Sequence, residues 1–124
     1  MRLIIVRHGE VSWNEALDND PPLNEAGHAQ ARRLGERFRG QRIDRLYCSP
    51  MARARQTASY VAEGVGLSPE VLPWLREVSC PLLTDEEVEQ LEGRPLERWW
   101  EGFPGGEEPF RAFQNRVGEG IDGL

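Results

Sequence analysis

The chain has 124 residues, 39% hydrophobic and 29% charged, which is enough apolar material for one packed core and too much for intrinsic disorder. The longest apolar run is Leu3–Val6, so no membrane-spanning helix is expected, and fifteen Lys plus Arg against 21 acids give a net −6 that argues against a nucleic-acid surface. The charge is uneven: residues 1–60 carry ten Arg and seven acids (+3), residues 61–124 five Arg and fourteen acids (−9), and there is no Lys.

In chain order, Arg2 to Val6 reads as a short strand buried on both faces, ending in Arg7-His8-Gly9-Glu10. It begins at once and leaves no room for a signal peptide. Val11 to Pro22 is loop-like, with Asp18, Asn19, Asp20, Pro21 and Pro22 as breakers. Asn24 caps a helix with an apolar face of Ala31, Leu34 and Phe38 that ends at Gly40. Ile43 to Cys48 is a second strand, followed by Ser49 as N-cap and Pro50 as first-turn proline of a helix reaching about Ala62. Val71 to Leu75 is a third strand. Thr84 and Glu87 form a capping box for a short acidic helix that stops before Gly93, Leu96 to Trp100 adds a further turn, and Pro104-Gly105-Gly106 turns the chain. Phe110, Phe113, Val117, Ile121 and Leu124 then recur along an amphipathic helix.

Alternation of strand and helix predicts an α/β fold, a three-layer α/β/α sandwich around a mostly parallel sheet. Without internal repeat or linker, residues 1–124 read as one domain.

Ligands of open α/β sheets bind beyond the carboxyl ends of strands, which is where Arg7 and His8 fall. Arg53 sits in the first turn of the helix after the second strand, at the same sheet edge. A helix N-terminus favours anions, and a guanidinium fork matches phosphate oxygens, so Arg7 and Arg53 are placed to share one anion beside a titratable imidazole. Arg55 faces another way and reads as solvated. Cys48 is not the nucleophile of a Cys-x5-Arg loop, because Ala54 stands where the arginine should be. Cys48 and Cys80 match neither a zinc site nor a redox pair, which suits a reduced, cytoplasmic protein. His28 reads as a solvated residue of the first helix. The acidic run Asp85, Glu86, Glu87, Glu89 and Glu92 reads as a solvated helix face, so neither metal nor cofactor is expected. Trp74, Trp99 and Trp100 read as core or lid packing.

The sequence resembles the histidine phosphatase superfamily, also called the phosphoglycerate-mutase-like family, from residue 2 to the end. The resemblance rests on R-H-G-E at Arg7 to Glu10, W-N at Trp13 and Asn14, and P-L-N-E-A-G-H-A-Q-A at Pro22 to Ala31. It continues through S-P-M-A-R-A-R-Q-T at Ser49 to Thr57, L-R-E at Leu75 to Glu77 and G-G-E at Gly105 to Glu107. It implies that His8 is the nucleophile that becomes a phosphohistidine, with its other ring nitrogen donating to a backbone carbonyl. By the same resemblance Arg7, Asn14 and Arg53 bind the phosphoryl group, and Glu77 is the acid that protonates the leaving oxygen and then activates water. The family's second histidine, in a His-Gly pair on a later strand, has no counterpart here, since only His8 and His28 occur. A chain that stops short of that strand is the preferred explanation, and a degenerate family member is the other. Val11 and Ser79-Cys80-Pro81 also depart from the family pattern.

The expected function is phosphomonoester hydrolysis on a small phosphorylated metabolite, with inorganic phosphate as product and the segment from Ser79 to Pro104 as lid. A phosphoglycerate mutase (an isomerase) is the alternative within the family. A non-catalytic phospho-ligand module lacking the second histidine is the alternative of another class. Neither nucleic acid nor membrane is expected as partner, and a homodimer stays open.

Overall fold

A computed structural model describes residues 1–12, 20–77, 86 and 110–124. By its internal contacts the chain divides into two compact units, Met1–Arg76 and Glu77–Leu124. The expected lid over 79–104, the acidic helix and the Pro104 turn lie outside the described residues, Glu86 apart.

In the first unit, α1 spans Glu25–Phe38. Asn24 caps it, its side-chain oxygen accepting from the Gly27 amide at 2.8 Å, and Gly40 at φ 76° turns the chain beyond its end. Both signals are local, so both are readable from sequence. Ala31 and Phe38 are buried along the α1 face, with Leu34 half-buried.

β1, Tyr47–Cys48, pairs in parallel with β2, Glu70–Val71. The ladder is two residues long. Glu70 donates to the Leu46 carbonyl and Leu72 to the Cys48 carbonyl, each at 2.9 Å. Pro69 precedes the ladder and Pro73 opens the 3₁₀ turn that follows it. The expected strand over 43–48 is trimmed to its last two residues. The expected strand over 71–75 becomes β2 followed by a 3₁₀ turn, Pro73–Leu75.

The strand expected over Arg2 to Val6 is not formed. Its apolar side chains stand exposed, Ile5 at 85%. Apolarity marks such a run as fit for burial, but a strand also needs a paired neighbour, and pairing is not encoded locally. Further on, Val11 and Leu23 form an isolated antiparallel bridge.

α2 spans Ala52–Val65. Its N-cap is Met51 rather than Ser49, and the Ala52 amide is taken instead by the Asp20 carboxylate at 2.8 Å. The Ser49 hydroxyl accepts from the Met51 amide, at 3.3 Å. A carboxylate brought from a distant loop outcompetes the local hydroxyl because it is charged and meets the positive end of the helix. At the other end Gly66, left-handed at φ 73°, stops the helix three residues past the expected Ala62.

α1 and α2 pack through glycine. A Cβ at Gly35 would collide with the Tyr60 carbonyl, and one at Gly64 with the Gly35 carbonyl. The second unit contributes α3, Phe110–Asp122, as the periodicity predicts. Phe113 and Val117 are half-buried, Ile121 and Leu124 exposed, and the Arg116 guanidinium lies 5.2 Å from the Phe113 ring centre. No helix among the described residues is long and apolar enough to cross a membrane.

Two glycines separate packing from backbone strain. Gly35→Val should cost about 1–3 kcal/mol by forcing α1 and α2 apart. Gly40→Ala has open space around its Cβ and should cost about 1–2 kcal/mol through its left-handed backbone alone. Denaturant melts of both proteins measure the two losses; a Gly35→Val protein as stable as the parent would contradict the close packing.

Candidate active site

The segment Arg7 to Glu10 ends against the start of α1. Gly9 is buried, and a Cβ there would meet the Gly27 carbonyl at 2.5 Å; a Cβ at Gly27 would run into the Glu10 carbonyl. Only glycine at both positions permits this approach. The Asn24 amide donates to the Glu10 carbonyl at 3.0 Å, and the Asn24 side-chain nitrogen donates to the Glu10 carboxylate at 3.0 Å and to the Ser12 hydroxyl at 3.2 Å. The residue that caps α1 thus also fastens this turn.

His8 is half-buried, with Nδ1 2.7 Å from the Gly9 carbonyl. A carbonyl oxygen can only accept, so Nδ1 carries the proton and Nε2 keeps a free lone pair in the neutral ring. The family resemblance implies a backbone carbonyl partner of this kind for the ring of His8.

Arg53 is 3% exposed, although a charged side chain is seldom buried so fully. Its guanidinium lies 3.5 Å from Asp20, whose carboxylate also caps α2. Thr57, one turn further along α2 and also buried, joins the two halves of the site. Its hydroxyl accepts from the Gly9 amide at 3.1 Å and donates to the Arg53 carbonyl at 2.8 Å. His8 and Arg53 are thereby brought into one hydrogen-bonded assembly across 45 residues of sequence. Arg7, next to His8 in the chain, is exposed.

The remaining candidates are placed differently. Glu77 is exposed and opens the second unit. Asn14 lies outside the described residues. His28 differs from its expected role as a solvated residue: it is half-buried, its Nδ1 is 2.9 Å from the Tyr60 hydroxyl, and the two rings meet edge to face. A histidine on the α1 face that meets α2 finds a partner that sequence alone could not name.

Four polar residues of the site had no role assigned from sequence: Asp20, Gln30, Gln56 and Thr57. Gln30 accepts from the Glu10 amide at 2.8 Å and Gln56 from the Leu23 amide at 2.7 Å. Thr57 carried a signal, since a threonine four residues after Arg53 in a helix can return its hydroxyl to that carbonyl.

Cys48, the free thiol at the end of β1, is buried, and burial pushes its pKa up, with the nearby Arg55 pulling it partly back. That is the opposite of what an activated nucleophile needs.

A family model described as histidine phosphatase superfamily (branch 1) matches residues 3–124. A protein named probable phosphoglycerate mutase GpmB from Yersinia pestis (strain Pestoides F) is 35% identical over 104 residues, 81% of this chain and 47% of its own length. The chain thus spans about half the length of the curated relatives it matches. The solved structure of a phosphoglycerate mutase from Thermus thermophilus is 35% identical with a TM-score of 0.61, covering 95% of this chain and 69% of that one. A mycobacterial glucosyl-3-phosphoglycerate phosphatase in complex with VO3 has a TM-score of 0.72 at 25% identity, over 94% of this chain and 63% of that one.

The raised Cys48 pKa has a direct readout. At mildly alkaline pH a higher pKa leaves less thiolate. In a Cys80→Ser protein, alkylation of Cys48 by iodoacetamide should therefore be at least about tenfold slower folded than in denaturant. Equal rates would show an accessible, ordinary thiol.

Proposed function

The chain belongs to the histidine phosphatase superfamily, and from that premise we propose that it is a phosphomonoester hydrolase working through a phosphohistidine on His8. The observation that carries this reading is the Nδ1–H bond from His8 to the Gly9 carbonyl, which leaves Nε2 as the nucleophilic nitrogen, in a turn tied through Thr57 to the buried Arg53.

Nε2 attacks phosphorus in line; the N–P bond forms as the bond from phosphorus to the ester oxygen breaks. Glu77 gives its proton to the departing oxygen. In the second half Glu77 takes a proton from water, the resulting hydroxide attacks the phosphohistidine, and inorganic phosphate leaves as the neutral imidazole is restored. Arg7 and Arg53 neutralise the phosphoryl oxygens, the dominant task in phosphoryl transfer, and Asn14 adds a neutral donor. None of these steps calls for a metal. In this reading residues 1–124 make one histidine phosphatase domain with the segment 79–104 as its lid, and the substrate is a small phosphorylated metabolite of the cytoplasm.

The resemblance to proteins named phosphoglycerate mutases supports a second reading, in which the phosphohistidine passes its phosphoryl group back to a phosphoglycerate instead of to water. The two differ in the fate of one intermediate. Phosphate release measured beside interconversion of 2- and 3-phosphoglycerate separates them. A binding module without turnover would show phosphate affinity and neither product.

Two substitutions test the chemistry. After an alkaline denaturing quench following exposure to a reactive phosphomonoester, we expect the parent to hold an alkali-stable, acid-labile phosphate that His8→Ala abolishes; equal labelling of His8→Ala would remove His8 from the nucleophile's role. Arg53→Lys replaces a planar fork with a point charge, so kcat/KM should fall on the order of 10²-fold and inorganic phosphate should bind more weakly. Steady-state kinetics and phosphate titration check both; unchanged values would make Arg53 a structural residue of α2.

A further inference from the structure

The two peptide units that meet at Gly9 are each gripped from outside the turn. The unit between His8 and Gly9 offers the Gly9 amide, which donates to Thr57 Oγ1 at 3.1 Å. The unit between Gly9 and Glu10 offers the Gly9 carbonyl, which accepts from His8 Nδ1 at 2.7 Å, and the Glu10 amide, which donates to Gln30 Oε1 at 2.8 Å. A peptide unit is planar, with its C=O and N–H pointing opposite ways. Holding the Glu10 amide therefore aims the Gly9 carbonyl at the imidazole. The direction of each bond is also fixed. The Thr57 hydroxyl spends its single proton on the Arg53 carbonyl, so at Gly9 it can only accept. Gln30 must turn its oxygen to the amide, because its NH2 group has no lone pair to offer.

We propose that Thr57 and Gln30 are positioning residues for His8: by clamping the peptide units on either side of Gly9 they hold its carbonyl where it keeps the proton on Nδ1 and the lone pair on Nε2. The inference rests on the phosphohistidine reading for its catalytic meaning, while its structural content concerns only the tautomer. Losing either clamp removes one of the bonds that fix the peptide units around Gly9, so the Nδ1 bond loosens and the ring gains the alternative tautomer with Nε2 protonated, which is not nucleophilic. Arg53 keeps its burial and its Asp20 partner, so anion binding is spared.

The experiment uses the full chain. Thr57→Val and Gln30→Met remove the acceptors at nearly constant shape; Thr57→Ser and Gln30→Glu retain them. Imidazole 15N shifts of His8, assigned against His8→Ala, report the tautomer independently of turnover. Single-turnover labelling with an alkaline denaturing quench reports phosphohistidine formation, and titration with inorganic phosphate reports the arginine site. Thr57→Val and Gln30→Met should shift His8 toward the Nε2–H form and slow phosphohistidine formation on the order of 10²-fold, as for a misplaced reacting group. Phosphate affinity should be unchanged, and Thr57→Ser and Gln30→Glu should restore both the tautomer and the rate. If Thr57→Val fails to fold, Gln30→Met still decides, since its side chain is exposed. A retained Nδ1–H signal with parental labelling rates in the folded variants overturns the positioning role. Phosphate trapped equally by His8→Ala overturns the phosphohistidine reading instead and leaves the tautomer result standing.

Discussion

The close approach of the Gly9 turn to the first residues of α1 is the constraint on which the rest of the site depends. With any side chain at Gly9 or Gly27, carbonyl oxygens would be struck and the turn would lift away from the helix. Lifting it would take the Glu10 amide from Gln30 and the Gly9 amide from Thr57, and so undo the clamps as a set. The same device repeats between the helices, where Gly35 and Gly64 let α2 lie close to α1. Glycine is a poor helix former, costing roughly 1 kcal/mol against alanine in a helix interior, and here that loss is exchanged for close backbone contact.

How much of this was legible in the sequence follows from the range of each signal. The Asn24 cap, the left-handed Gly40 and the apolar face of α1 depend on residues within a turn of one another, and the structure has them where the sequence puts them. The Gly66 stop is equally local, yet the expected end at Ala62 falls short of it. The other failures are non-local. Asp20 reaches α2 before Ser49 can cap it, β1 pairs for two residues with a partner 23 residues away, and the Leu3–Val6 run has the composition of a buried strand but is exposed. At the site, residue types pointed to His8 and Arg53, whereas the link between them through Thr57 needed the fold.

The proposed phosphatase and mutase readings have the same first chemical step, and diverge only in what meets the phosphohistidine. The discriminating residues therefore lie with whatever governs access of water and of a second substrate, not with the imidazole or the guanidinium forks. The shared first step places the same demand on both readings, an anion held beside His8. It also gives the uneven charge a physical sense. The first half of the chain is net positive where an anion would be held, and the acidic excess is kept to the second half.

The burial of Arg53 has a thermodynamic consequence. An arginine side chain has about 2 kcal/mol of rotamer entropy to lose when immobilised. Arg53 is enclosed by α2 and held beside Asp20 before any ligand arrives, so folding has already absorbed that loss. Arg7 is exposed, and an anion that recruits it must order it on arrival. The two guanidinium groups would then differ in how they bind: the contribution of Arg53 is chiefly enthalpic, and that of Arg7 is an enthalpic gain set against lost motion. Under the proposed reading the pair would combine one rigid anchor with one adaptable arm, a division of labour suited to gripping a phosphoryl group while it changes hands.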